Sequence, residues 1–112
     1  MIDPSGLLMI EPKHPASAEP VLDDLTRMAA VALAGAERSE YGYRGCHFCS
    51  CGALSDNQDH FVGPDRLITN SLAAHYLAWH REDVPQSELD KLIALNLPVD
   101  SGYALEIPAP VR

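Results

Sequence analysis

Cys46-His47-Phe48-Cys49-Ser50-Cys51-Gly52 and, further along, His75-Tyr76-Leu77-Ala78-Trp79-His80 are the stretches on which the reading of this chain turns. All 3 cysteines fall in the first, and 2 of the 5 histidines fall in the second. Zinc takes four ligands at the corners of a tetrahedron and prefers thiolate sulfur and imidazole nitrogen. Its structural sites use spacings such as Cys-x2-4-Cys followed by His-x3-5-His. Two residues separate Cys46 from Cys49 and four separate His75 from His80, so both halves satisfy those spacings. The 25 residues between Cys49 and His75 exceed the common finger, and the turn-forming run Ser55-Asp56-Asn57-Gln58-Asp59 and a strand around Phe61 account for the excess. A structural Zn2+ is therefore the expected cofactor.

Residues five apart on a regular helix point about 140° away from each other. His75 and His80 can meet at one ion only where the helix changes its winding near His80. Arg81-Glu82-Asp83, ahead of Val84-Pro85, is where the helix is expected to end. The sulfur pair stays open at this level. Cys46 and Cys49 have the familiar spacing, whereas Cys49 and Cys51 precede Gly52, whose conformational freedom suits a tight turn that points amide hydrogens at the sulfurs.

The words Cys-x-Cys-Gly, Ser55-Asp56-Asn57, Thr69-Asn70-Ser71-Leu72 and His75-Tyr76-Leu77-Ala78-x-His80-Arg81 resemble a group of small uncharacterised bacterial zinc-binding proteins that share this phrasing, over about residues 45 to 95. The resemblance implies Cys49 and Cys51 as the sulfur pair, hence Cys49, Cys51, His75 and His80 as the metal ligands, with Cys46 in reserve. It implies no activity. At coarser grain the site is similar to Cys2His2 zinc fingers, without their basic recognition helix. His14, His47 and His60 are expected to be surface or structural histidines, and Tyr76 and Trp79 to serve the core.

With 112 residues the chain suits one domain of limited core, in which a metal staple carries weight. Its formal charge of −8, from 16 acidic and 8 basic residues, argues against a surface that grips phosphate backbone by counterion release. Another protein is the expected partner. No segment approaches the roughly 20 apolar residues of a membrane span, and Asp3 and Pro4 stand where a signal peptide would carry positive charge. Three cysteines so close together make a poor disulfide framework. The expected compartment is the cytoplasm of a bacterium or its phage, where such a cluster is metal-binding or catalytic.

The periodicity predicts an amphipathic helix from Pro20 to Ala34, with Asp23 and Asp24 in its first turn. A second helix is capped by Thr69, Asn70 or Ser71 and carries His75 and His80; a third restarts at Pro85, with Leu89, Leu92 and Ile93 at apolar spacing. Leu7 to Ile10 reads as an edge strand or an anchor, Arg38 to Gly45 as a short strand or extended lead-in, and Cys46 to Val62 as a small, poorly cored hairpin returning through His60-Phe61-Val62. Tyr103 to Ile107 reads as an edge strand. The expected fold class is α+β and mostly helical, three helices with a small zinc-bound β-hairpin packed on the His-bearing helix. Residues 1–19 form an N-terminal segment and Pro-rich linker, 20–97 the zinc-stabilised globular domain and 98–112 an extended C-terminal segment.

A closed Cys2His2 shell leaves no position for water or substrate, so a structural role and a protein-interaction or regulatory module are expected. Two other classes compete. His80-Arg81-Glu82 has the His-x-Glu form of zinc deaminases, but in reversed order relative to the cysteines and without a Pro-Cys step. A nucleic-acid-binding finger would need Arg44, Arg66 and Arg81 to form a local basic face near the metal.

Overall fold

The protein is described here from a computed structural model covering residues 6–38, 48–55, 58–97 and 107–111. Three helices, α1 (Asp24–Ala34), α2 (Ala73–Trp79) and α3 (Gln86–Ala94), accompany three short strands, β1 (Glu37–Arg38), β2 (His60–Val62) and β3 (Leu67–Thr69). The strands form one antiparallel sheet in the order β1-β2-β3, with Glu37 opposite Phe61 and Phe61 opposite Ile68. This is the α+β, mostly helical architecture the sequence predicts.

α2 is the hub. It is buried along nearly its whole length from Ala73 to Ala78, and α1 packs chiefly against it. The small side chains Ala73, Ala74 and Ala78 let neighbours approach closely, and Leu72, Leu77 and Leu92 are fully enclosed around them. The helix starts on an Asx turn in which Asn70 Oδ1 accepts the Leu72 amide at 2.8 Å. Asn70 thus satisfies an orphan donor from two residues before the cap position, Leu72.

α1 begins later than Pro20. Asp23 is its N-cap, accepting the Thr26 amide at 3.1 Å. The residues before it are held extended, because the Val21 amide donates to the Ala78 carbonyl at 2.7 Å and the Thr26 hydroxyl donates to the Val21 carbonyl at 2.7 Å. Those tertiary bonds outcompete the helical start that proline favours. α3 likewise starts one residue after Pro85, which is itself the N-cap.

The predicted hairpin from Cys46 to Val62 divides into two pieces. Phe48 and Leu54 form a single antiparallel bridge that closes a tight turn around the cysteines. His60–Val62 instead pairs with β1 and with β3, and the Leu67–Thr69 strand, read from sequence only as the approach to a helix cap, completes the sheet. Near the N-terminus, Gly6 makes a parallel bridge to Ile68, and Leu7 and Leu8 are buried, so this piece anchors the chain. Its anchor is Glu88, only 3% exposed, which accepts the Leu8 amide at 2.9 Å. Lys91 Nζ lies 2.8 Å from Glu88 Oε2 and donates to the Gly6 carbonyl at 2.9 Å. Ile93, assigned to the apolar face of α3, is 52% exposed. Arg44, Cys46, His47 and the Tyr103–Glu106 part of the proposed C-terminal strand lie outside the described residues, and Ile107 is in no strand.

Candidate metal centre

The turn that carries the sulfurs is built by backbone. The Cys49 amide donates to the Ala53 carbonyl at 2.9 Å, and the Gly52 amide donates to the Cys49 carbonyl at 2.9 Å. Gly52 closes it at φ +93°, a left-handed conformation that suits glycine. The Cys51 backbone and the Ser50 side chain favour the charged form of the Cys49 thiol, against the larger effect of burial. The turn is thus shaped to hold two sulfurs on one side.

α2 brings the imidazoles. His75 lies within the helix, and His80 is its C-cap at φ −132°, ψ 39°, clear of helical geometry. Departure from regular winding at His80 swings its ring back toward that of His75, whose centroid is 5.2 Å away. This is the change of winding that the five-residue spacing demands. A 3-10 turn, Arg81–Asp83, follows at once.

Sγ of Cys49 and Nε2 of His80 are 3.1 Å apart, and Sγ of Cys51 and Nε2 of His75 are 3.3 Å apart. One ligand atom from each of Cys49, Cys51, His75 and His80 falls within 4.8 Å of every other. A tetrahedral ion with Zn–S near 2.3 Å and Zn–N near 2.0 Å sets its S···N edges at about 3.5 Å. Those two S···N pairs are slightly closer than in a loaded site, and all four ligand atoms are near enough together to reach one ion. Cys49, His75 and His80 are buried and Cys51 is half-buried.

Burial shapes the electrostatics. It pushes the Cys49 thiol up and holds both imidazoles below their ordinary range, with mutual repulsion between the rings lowering His75 further. Neutral imidazole is the form that binds a metal, whereas a buried thiol needs a cation to lose its proton. Tyr76 stands beside the cluster, its hydroxyl on Asn70 and its pKa pushed up to about 12 by burial. As predicted, Tyr76 is core; Trp79 is only half-buried.

The two terminal segments supply partners that the spacing did not reveal. The Pro108 carbonyl lies 2.5 Å from His75 Nδ1 and accepts its proton, leaving Nε2 as the lone-pair nitrogen toward the sulfurs. The Val111 amide donates to the Cys51 carbonyl at 3.0 Å, so residues 107–111 form a strap across the centre. On the other flank the His14 backbone raises the His80 pKa against the larger lowering by burial, while His80 Nδ1 is buried without a hydrogen-bond partner among the described residues.

Arg81 secures the helix end. Its Nε donates to the Leu77 carbonyl at 3.1 Å, while its terminal nitrogens reach the Asp23 carboxylate at 2.6 and 2.8 Å and the Thr26 hydroxyl at 3.0 Å. Asp83 accepts the His14 amide at 3.1 Å and faces His14 Nδ1 at 2.7 Å, which raises the His14 pKa. His14 is exposed, and His60 is buried in β2, away from the quartet.

Neither Arg66 nor Arg81 presents the bare cation that a phosphate-gripping face requires. Arg66 sits 2.7 Å from Glu37 and 4.7 Å over the Phe61 ring, and Arg81 is clamped to Asp23. Glu82, the candidate deaminase-like carboxylate, is 70% exposed.

In comparisons with protein-family models, curated proteins and solved structures, nothing matches this chain.

Proposed function

We propose that this chain is a small structural-zinc domain that works as a protein-interaction or regulatory module in the cytoplasm. The observation that carries this reading is the convergence of two sulfurs and two imidazole nitrogens within 4.8 Å, brought together by a turn and a helix. Two thiolates and two imidazoles in tetrahedral array suit zinc among the common metals. Four protein ligands fill its coordination shell, which favours a structural over a catalytic role. The phrasing shared with small bacterial zinc-binding proteins is consistent with this.

Phe48, Leu54 and Val111, at 75%, 51% and 67% exposure, surround the cysteine turn with apolar surface. Together with an overall charge of −8, this supports a protein partner with a basic rim rather than nucleic acid.

Metal analysis and native mass spectrometry of the purified chain test the reading. One zinc per chain is expected in the wild type and in Cys46→Ser, and its loss in Cys49→Ser and His75→Ala. A chain that neither carries nor takes up zinc overturns the proposal.

A further inference from the structure

The two sulfurs of the quartet are not equivalent. Cys49 is 4% exposed. Cys51 is only half-buried and borders a cleft of about 580 Å³. That cleft runs between the N-terminal segment, through Lys13, Pro15 and Ala16, and the strap, through Pro110 and Val111. Of the four candidate ligands, Cys51 is the one that lines this cleft.

We propose that Cys51 is a reactive zinc-bound thiolate, a modification site for small soft carbon electrophiles that carry an anionic group and enter through this cleft. The inference rests on the zinc reading above and names a chemistry for that same centre. A cysteine that ligates zinc does so as the thiolate, and the thiolate is the nucleophile. The electron pair on sulfur forms the new S–C bond as the bond from carbon to the leaving group breaks, and the leaving group departs with its electron pair. The product is a thioether, so the ligand set loses one negative charge and binds the metal less tightly. Anionic electrophiles are preferred because Lys13 is the only lysine or arginine among the described residues lining the cleft.

The experiment treats the zinc-loaded full-length chain with iodoacetate and, separately, with iodoacetamide. Adducts at Cys46, Cys49 and Cys51 are followed by site-resolved mass spectrometry and zinc content is read in the same samples. Cys51 is expected to react more than about tenfold faster than Cys49, with zinc release following its alkylation. The iodoacetate-to-iodoacetamide rate ratio at Cys51 is expected to exceed that of free cysteine and to fall in Lys13→Glu. Equal rates at the two ligands, or an inert Cys51 in a chain that holds zinc, overturn the inference alone. A ratio no higher than free cysteine overturns the anionic preference. A chain without zinc removes this inference together with the reading beneath it.

Discussion

The carboxylate of Asp23 accepts the Thr26 amide and both terminal nitrogens of Arg81, joining the start of α1 to the end of the histidine-bearing helix. Arg81 beside it holds its pKa down to about 2, from an ordinary value of 3.8. A depressed carboxylate contributes stability that is present above its unfolded pKa and lost as pH falls through its folded value. Because the Asp23 side chain is 44% exposed, solvent screening discounts the contribution to about 1 kcal/mol. Asn is as good an N-cap as Asp, so Asp23→Asn isolates the ion pair. It is expected to lower stability by about 1 kcal/mol at pH 7, a difference from wild type that shrinks as pH drops from 3.8 toward 2. Urea melts of both proteins across that range check it. The pairing itself was hidden in the sequence because Asp23 and Arg81 are 58 positions apart and each suits a lone surface role.

At the scale of elements, the strap made by residues 107–111 belongs to the metal centre. The Pro108 carbonyl fixes the His75 tautomer and Val111 closes on the cysteine turn. Outer partners of this kind typically account for 10- to 100-fold in metal affinity. Truncation after Glu106 is therefore expected to weaken zinc binding by about that factor while leaving the helical circular dichroism intact, as a chelator competition titration reads out. A Cβ on Gly52 would sit 2.9 Å from the Val111 Cβ, on a residue at φ +93°. Gly52→Ala should loosen the same strap and lower affinity in the same direction. The spacing of ligands carried no trace of the strap, because a backbone carbonyl can come from any residue.

At the scale of the whole molecule, two separate clasps hold the chain. The Cys49, Cys51, His75 and His80 quartet gathers the cysteine turn and α2 beside the strap, while the Glu88 carboxylate with Lys91 holds Gly6 to Leu8 against α3. The apolar cluster takes Leu72, Leu77, Leu92 and Ala29 from the helical part and reaches the cysteine turn through Cys49 and Ala53. Removing zinc withdraws a folding contribution on the order of 10 kcal/mol from the first clasp only. Chelation at neutral pH is expected to strip hydrogen-exchange protection from the amides of Cys49, Gly52 and Val111 while those inside α1 and α3 stay protected. Uniform loss across all of them would mean that the core depends on the ion throughout.

What the sequence determined by itself was local chemistry: which residues can ligate, the helical periods, and the break in winding that brings His80 back to His75. These follow from residue type and short-range geometry, which a linear reading contains. Tertiary structure alone decided the rest. It split the cysteine hairpin from the sheet, moved the start of α1 to Asp23 through bonds from α2, and buried Glu88 where its position on α3 suggested only a charged first turn. It also brought both terminal segments against the ligand histidines. Those outcomes depend on which distant backbone groups a buried side chain must satisfy, and that is set only when the chain closes on itself.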